Sequence, residues 1–265
     1  MACTTGRGSA ARHGELWGAR AHDWAANEDQ QTPTYEEAIR RVGVEPGQLV
    51  LDIGCGSGAF VRLVADRGAR AFGVDASESL IEIARSRTPE ADLRAGEMQE
   101  LPYDDDTFDL VTGFNSFFFA DDIVAALREA GRVAKPGAPV VIQVWGPPER
   151  CDLTATRGAL APFLPAPDPD APAPPQLWRP GVLEQIAEQA GLTPTDAFDV
   201  SWAYDFPDEN AMARGMLSSG LAVKAIRDFG EEPVRRAIVD ALASKRTPEG
   251  GYLLSNEWHY LVARA

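Results

Sequence analysis

A carboxylate and a glycine-rich turn follow one another in residues 52–58. Asp52 ends a short apolar run, and Gly54, Gly56 and Gly58 come soon after it, before apolar residues repeat at helical spacing. This order predicts a strand, a tight turn and the start of a helix. Such a turn lets the backbone approach a nucleotide-like ligand closely.

Asp52 sets the chemistry expected of this turn. It places a negative charge where a dinucleotide-binding turn would receive a pyrophosphate, and a carboxylate repels phosphate and attracts an ammonium group. The turn therefore indicates an adenosine-bearing ligand with a cationic tail. A structural alternative stays open, because Asp also caps turns of this kind. Cys55 is interpreted as a small filler within the turn, without a redox role.

Alternating strand and helix patterns must position the turn. We predict strands near 49–53, 70–75, 91–95, 108–113 and 138–145, and helices near 57–67, 77–86 and 121–134. Apolar residues from Tyr35 to Val42 recur at i, i+3, i+4 and i+7, which predicts an amphipathic helix before the first strand. Strands separated by helices of this length predict right-handed βαβ units and a parallel sheet.

The pattern changes after Trp145. Residues 162–175 hold seven prolines in fourteen positions, too many for a helix or an interior strand, and predict an extended crossover or lid over one edge of the site. A helix before Gly191 and a strand at 193–201 follow. Residues 208–245 have helical periodicity and are predicted to form an insertion before a final strand at 252–263.

The expected domain organisation is one domain over residues 15–265. Residues 1–14 are rich in small residues, lack the apolar segment of a signal peptide and are expected to be disordered. Lid insertions are expected at about 147–178 and 206–248.

The composition limits the classes of partner. The chain has 265 residues, with 25 Lys and Arg against 40 Asp and Glu, a formal net charge of −15. Phosphate backbones and anionic membranes repel such a surface, so we expect no nucleic-acid or membrane partner. The three cysteines form no CxxC and no zinc-ligand spacing with histidine, which predicts a reduced, cytoplasmic chain without a metal. The Asp run at 104–106 is interpreted as a solvated turn.

Five motifs occur in a fixed order along the first half of the chain. They are LDIGCGSG at 51–58, GVDAS at 73–77, AGEMQELPY at 95–103, TFDLV at 107–111 and EAGRVAKPG at 129–137. This series strongly resembles the class I S-adenosylmethionine-dependent methyltransferases, in their small-molecule branch, closely over residues 15–146 and loosely beyond. The resemblance implies a Rossmann-like three-layer α/β sandwich with a seven-stranded, mostly parallel sheet. Its last strand would run antiparallel between the fifth and the sixth.

The resemblance also implies a cofactor site for S-adenosylmethionine, with S-adenosylhomocysteine as the product. Asp52 would accept hydrogen bonds from the amino-acid end of the cofactor, and Asp75 would accept them from the ribose hydroxyls, unless it only caps the next helix. The residues expected to contact the cofactor are Trp17, Trp24, Asp52, Gly54, Cys55, Gly56, Gly58, Asp75, Ala76, Leu80, Gly96, Glu97, Met98, Asn115 and Ser116. For the Trp pair and Leu80, ordinary packing is the alternative.

Two residues are candidates for the chemistry itself. Asn115 follows the fourth strand and should lie beside the reactive methyl group. His259 shares a strand face with Glu257, and the two are predicted to form a histidine–carboxylate base, unless the pair is structural or faces away. Phe117–119 would face a ligand, the lid or the core. Trp145, Trp178, Trp202 and Tyr204 are candidate walls of an acceptor pocket.

We therefore expect a methyltransferase that acts by proximity-driven, in-line displacement on a small-molecule acceptor. A secondary metabolite with an oxygen, nitrogen or carbon nucleophile is preferred, and a peptide terminus is an alternative. A second class is a protein that binds the cofactor without transfer, as a regulator or a methyltransferase-like cyclase. A third is an NAD-dependent dehydrogenase, which Asp52 and the lack of a Tyr-x-x-x-Lys constellation disfavour.

Overall fold

A computed structural model describes residues 8–166 and 173–265, built around one seven-stranded sheet. The strands are β1 (Leu49–Ile53), β2 (Arg70–Asp75), β3 (Asp92–Ala95), β4 (Leu110–Phe114), β5 (Pro139–Trp145), β6 (Thr193–Phe206) and β7 (Tyr252–Arg264). Their order is β3-β2-β1-β4-β5-β7-β6. Strands β1 to β5 pair in parallel, and β7 pairs antiparallel with both β5 and β6. The predicted fold, with its antiparallel last strand between the fifth and the sixth, is confirmed.

Helices flank both faces of the sheet. In the described residues they are α1 (Ser9–Gly18), α2 (Ala21–Glu28), α3 (Thr32–Val42), α4 (Ala59–Ala65), α5 (Glu78–Arg87), α6 (Ile123–Val133), α7 (Thr154–Leu160), α8 (Val182–Gln189), α9 (Glu209–Leu217), α10 (Gly220–Phe229) and α11 (Glu231–Leu242). Each predicted helix of the first half is present within a few residues of its expected ends. These ends are the part of a helix that sequence defines least sharply.

The core consists of one apolar cluster on each face of the sheet. Successive strand residues alternate between them, so that Val50 packs with α3 to α5 while Leu51 faces the cluster of α6 and α8. Helix α6 shows how the sequence defines such an element. Asp122 caps it by accepting hydrogen bonds from two backbone N–H groups, and its apolar stripe, which includes Leu127, is fully buried.

The prediction of disorder over residues 1–14 is wrong from residue 9 onward. Residues 9–18 form helix α1, although we expected disorder throughout residues 1–14; residues 1–7 lie outside the described part of the chain. The helix is held by contacts that no local pattern reveals. Ser9 and the backbone of Ala10 bind the carboxylate of Glu97, and Gly14 is so close to Ala76 that a Cβ would lie 2.2 Å from the Ala76 carbonyl oxygen.

The insertion between β6 and β7 is helical, as its periodicity predicts. Its helices α9 and α10 pack against α2 and α1, and α11 packs against α7. Strand β6 extends to Phe206, five residues beyond its predicted end, because it pairs with β7 along its whole length. The extended crossover or lid predicted for the Pro-rich residues 162–175 lies partly outside the described residues, which do not include 167–172. In the described ranges, no helix is long and apolar enough to cross a membrane.

Burial of α6 gives a test of the core. Leu127 is fully buried, so Leu127→Ala should lower the free energy of unfolding by about 2–5 kcal/mol through lost burial and the cavity it leaves. Leu221→Ala is the matched control, because Leu221 is also helical but 42% exposed. Its expected effect is within about 0.5 kcal/mol. Urea denaturation measures both, and equal losses would contradict the assignment of α6 to the core.

Candidate active site

A cavity lies at the carboxyl ends of β1 and β4, between which the strand order of the sheet reverses. Open α/β sheets bind ligands at such a point. Strand ends form its floor, and α1 and α2 cover it. The predicted residues that line it are Trp17, Trp24, Asp52, Gly54, Gly56, Asp75, Ala76, Leu80, Met98, Asn115 and Ser116. No lining residue comes from the described parts of the two expected lid insertions, so α1 and α2 are the cover.

The cover is closed tightly over the floor. The cavity volume is about 130 Å³. Cavities that hold drug-sized ligands measure roughly 300–1,000 Å³. The space between the cover and the floor is therefore narrower than a cavity that holds a ligand of that size.

The glycine turn brings backbone to the cavity surface. Gly54 and Gly56 have φ angles of 76° and 54°, a region that favours glycine. A Cβ on Gly54 would lie 2.3 Å from the Cβ of Ser116, and one on Gly56 would lie 2.8 Å from Oε1 of Glu28. A side chain at either position would therefore clash with Ser116 or Glu28, which lie directly against the turn.

Asp75 ends β2 and faces the cavity. Its Oδ2 accepts a hydrogen bond from the N–H of Gly56 at 2.9 Å, and its Oδ1 accepts one from the N–H of Ser77 at 2.8 Å. Burial raises the pKa of this carboxyl, and the backbone donors oppose that shift. Each oxygen keeps a lone pair for a ligand hydroxyl.

Asp52 lies beside it at the end of β1. Its exposure is 3%, and its Oδ1 accepts a hydrogen bond from the hydroxyl of Thr112 on β4 at 2.8 Å. Burial raises the pKa of Asp52 well above its ordinary value, and the nearby carboxylates of Glu28 and Asp75 add to the shift. Several carboxyl groups thus share one desolvated space, which favours their protonated forms in the absence of a cation.

Glu28 is the third carboxylate of the cavity, and the sequence analysis missed it. It ends α2 and is 5% exposed. Its Oε2 accepts hydrogen bonds from the backbone N–H of Ser57 at 2.8 Å and from the Ser57 hydroxyl at 2.5 Å. Burial raises its pKa to about 7. The sequence contains one indication that Glu28 faces the cavity, because Glu28 follows Trp24 by four residues and so lies on the same helix face.

Asn115 and Ser116 follow β4, as predicted. Asn115 has a φ of 52°, and its Nδ2 donates a long hydrogen bond of 3.5 Å to Oε1 of Gln31. Its Oδ1 is buried without a partner among the described residues. The Ser116 hydroxyl donates to the carbonyl of Ile53 at 2.6 Å, so Ser116 fastens β4 to β1. Of these two residues, Asn115 is the one whose side chain has free hydrogen-bonding capacity for a ligand.

Aromatic rings form the cover above these residues. Trp17 and Trp24 meet edge to face with their centroids 4.6 Å apart, and Phe119 lies 5.5 Å from Trp17. Phe118 also lines the cavity, whereas Phe117 is buried in the core. Residues 117–119 therefore contribute both to the cavity, through Phe118 and Phe119, and to the core, through Phe117.

Glu97 lies outside the cavity lining and holds the cover. Its carboxylate accepts hydrogen bonds from the Ser9 hydroxyl at 2.7 Å and from the N–H groups of Ala10 and Gln99 at 2.8 and 3.2 Å. Because these contacts occupy both oxygens, Glu97 fastens α1 to the end of β3. Met98, the next residue, is the one that faces the cavity.

Three further predicted residues support the lining without joining it. Cys55 is 1% exposed and packs against Gly73, in agreement with its interpretation as a filler. Gly58 caps α4 in the left-handed conformation and lies against Ala84. Gly96 follows β3 behind Met98 and lies against Val74.

The structure contradicts His259 as a base. His259 lies on the face of β7 that carries Leu261, opposite to the face that carries Tyr260, and does not line the cavity. Its Nδ1 lies 2.8 Å from Oδ1 of Asp199, its cross-strand partner on β6. The expected partner, Glu257, instead binds Arg150. Period-two reasoning along one strand cannot reveal a partner on the neighbouring strand.

Of the four candidate aromatic walls, Trp145 lines the cavity, and Trp178, Trp202 and Tyr204 do not. Trp202 is 45% exposed, and Tyr204 is buried in the core. Tyr35 and Phe114 take their place beside Trp145. Within the described ranges, no group of three or more His, Cys, Asp or Glu could hold a metal ion.

Glu28 should make stability depend on pH. Its folded pKa of about 7 exceeds the ordinary value of 4.5, so between these values the folded state keeps a proton that the unfolded chain releases. This contribution is complete below pH 4.5 and is lost as pH rises through 7. We expect the ligand-free protein to lose about 2–3 kcal/mol of unfolding free energy between roughly pH 5 and 8, measured by urea denaturation. The raised pKa values of Asp52 and Asp75 act in the same direction.

Two variants isolate the contribution of Glu28. Glu28→Gln should flatten the decline, because the amide does not titrate. Glu37→Gln is the matched control: Arg40 and Arg41 lower the pKa of Glu37 to about 2, so its titration lies below this pH range. A decline as steep in Glu28→Gln as in the wild type would show that other groups cause it.

Comparison with known proteins agrees with this site. Residues 51–142, which include the glycine turn, Asp75 and Asn115, match a family model described as a methyltransferase domain. The chain is 27% identical over 276 residues to an uncharacterized protein of Mycobacterium tuberculosis, covering 97% of this chain and 94% of that protein. It is 28% identical over 270 residues to 27-O-demethylrifamycin SV methyltransferase of Amycolatopsis mediterranei, covering 91% and 90%.

A similar fold occurs in a crystal structure from Bacillus halodurans. The TM-score is 0.59 at 16% identity, covering 87% of this chain and 97% of the other. Five ordered motifs, the strand order and the family match agree in identifying residues 51–142 as a methyltransferase domain, similar to those of the class I S-adenosylmethionine-dependent methyltransferases.

Proposed function

We propose that the cavity binds S-adenosylmethionine and that the protein transfers its methyl group to a small apolar acceptor. The observation that carries this proposal is the charge of the cavity. Three carboxylates, Glu28, Asp52 and Asp75, line it, and no Lys or Arg of the described residues does. Such a space disfavours phosphates and favours a ligand that brings cationic groups and hydroxyls.

The cofactor is oriented by the strand ends. Asp75, whose oxygens retain free lone pairs, would hold the ribose hydroxyls, and Asp52 and the glycine turn would hold the amino-acid end. Ala76, Leu80 and Met98 would hold the adenine. The rings of Trp17 and Trp24 would stabilise the sulfonium by about 0.5–2 kcal/mol.

The acceptor enters on the side of β4 and β5. Tyr35, Phe114, Phe118 and Trp145 give this side an apolar surface, and Asn115 offers a carbonyl oxygen without a partner. The acceptor is therefore apolar with one hydrogen-bond donor that Asn115 orients. The relative that methylates 27-O-demethylrifamycin SV supports an oxygen nucleophile on a secondary metabolite.

Transfer depends on alignment and exclusion of water. When bound, the cofactor would supply the methyl group in one in-line displacement: the electron pair of the broken bond would stay on sulfur as a thioether, and the proton of a hydroxyl acceptor would pass to solvent. Around the bound cofactor the aromatic cover would exclude water, and a dry site favours a reaction that neutralises the sulfonium charge. His259 lies on the other face of the sheet, so no step passes through it.

Calorimetric titration with S-adenosylhomocysteine tests the cofactor site. Wild type should bind with micromolar affinity and should not bind NAD. Asp75→Asn removes a charged acceptor and should weaken binding at least about tenfold, since a hydrogen bond to a charged group contributes about 1.5–3 kcal/mol. Asp199→Asn is the matched control on β6, outside the cavity, and should bind like the wild type. NAD binding, or equal effects of the two variants, would contradict the assignment.

Product analysis tests transfer itself. Incubation with S-adenosylmethionine and a panel of hydroxylated apolar acceptors should yield S-adenosylhomocysteine and an acceptor that has gained one methyl group, detected by mass spectrometry. Asn115→Ala should raise KM for the acceptor and leave the affinity for S-adenosylhomocysteine unchanged. If an acceptor were converted while the bound cofactor stayed unconsumed, the protein would be a cofactor-dependent cyclase.

A further inference from the structure

Glu28 connects the cover to the floor of the cavity. Its Oε2 holds the backbone N–H and the hydroxyl of Ser57, so the end of α2 is fastened to the glycine turn. Arg87 strengthens the same contact, because its guanidinium binds the Ser57 hydroxyl and the carboxylate of Asp29, both at 3.0 Å. The turn that receives the cofactor is therefore also the attachment point of the cover.

The second oxygen of Glu28 is free. Among the described residues nothing donates a hydrogen bond to Oε1, although the side chain is 95% buried and lines the cavity. Oε1 lies against Gly56, where a Cβ would approach to 2.8 Å. Oε1 is thus the oxygen of this carboxylate that a ligand donor can bind without displacing Ser57.

No Lys or Arg among the described residues donates a hydrogen bond to Glu28. Asp75 disfavours its negative charge, and Arg87, which favours it, directs its own hydrogen bonds to Asp29 and Ser57. Asp52 lies in the same cavity, and Tyr35 and Tyr204 beside it have raised pKa values and stay neutral. A ligand ammonium group would compensate the charge that the fold leaves uncompensated.

We propose that Glu28 is a further cofactor-binding residue, whose Oε1 accepts a hydrogen bond from the ammonium group of the methyl donor. This assignment rests on the proposed function. Because the same carboxylate fastens α2 to the glycine turn, the amino-acid end of the cofactor would stabilise the closed cover. A ligand without that end would fill the adenosine site and leave the closure weaker.

Two probes separate this role from a structural one. S-adenosylhomocysteine carries the amino-acid end, and 5′-methylthioadenosine lacks it but keeps the adenosine and the thioether. Glu28→Gln keeps the size of the side chain and an acceptor for Ser57 and removes the charge. We expect it to weaken S-adenosylhomocysteine about 10-fold to 100-fold in calorimetry, the range of one charge-assisted hydrogen bond, and to change 5′-methylthioadenosine by less than about twofold.

Controls define the contrary outcomes. Glu37→Gln, the same exchange at a partly exposed position of α3 outside the cavity, should bind both probes like the wild type. Equal weakening of both probes by Glu28→Gln would show a structural role, and unchanged affinity for S-adenosylhomocysteine would also overturn the proposal. A wild type that binds neither probe would instead overturn the proposed function.

A second variant keeps the test valid if Glu28→Gln does not fold. If circular dichroism shows Glu28→Gln to be unfolded, Glu28→Asp carries the test, since it keeps the charge and withdraws it by one methylene. It should weaken S-adenosylhomocysteine more than 5′-methylthioadenosine. Equal effects on the two probes would overturn the assignment.

Discussion

Burial of negative charge at the strand ends is the constraint on which the site depends. Asp52 and Glu28 are buried and Asp75 is partly buried, and a desolvated carboxylate costs several kcal/mol unless donors replace its hydration. The donors come from the glycine turn and its surroundings: the N–H groups of Gly56 and Ser57 and the hydroxyl of Thr112. The turn therefore stabilises the charges that the proposed cofactor uses, and its backbone must stay accessible to do so.

The cover acquires its position from the insertion far along the chain. Gly220 on α10 lies against the indole of Trp17, and Gly215 on α9 lies against Asn27. Exposed ion pairs such as Arg214 with Asp23 add little, because solvent screens them. Small residues on α9 and α10 thus allow close contact with α1 and α2. The helical insertion braces the cover, while the cover itself touches the cavity.

The two ends of the cavity differ in the interactions that they offer a ligand. The proposed cofactor end combines charge and backbone hydrogen bonds, which are directional and favour one ligand. The acceptor end is mostly apolar, and such a surface excludes water while discriminating weakly among similar shapes. Asn115, held in a left-handed conformation at the end of β4, is the polar exception.

The sequence by itself determined the sheet, the turn and two carboxylates of the site. These features follow from local rules: strand and helix periodicity, the φ angles that Gly54 and Gly56 allow, and the meeting of parallel strand ends at one edge. Asp52 and Asp75 could be predicted because each ends a strand of that edge. Tertiary structure alone decided which distant side chains join them. Glu28 lies at the end of a short helix whose docking onto Ser57 no periodicity encodes, and the partner of His259 lies on another strand. Such contacts depend on how elements far apart in the chain pack together.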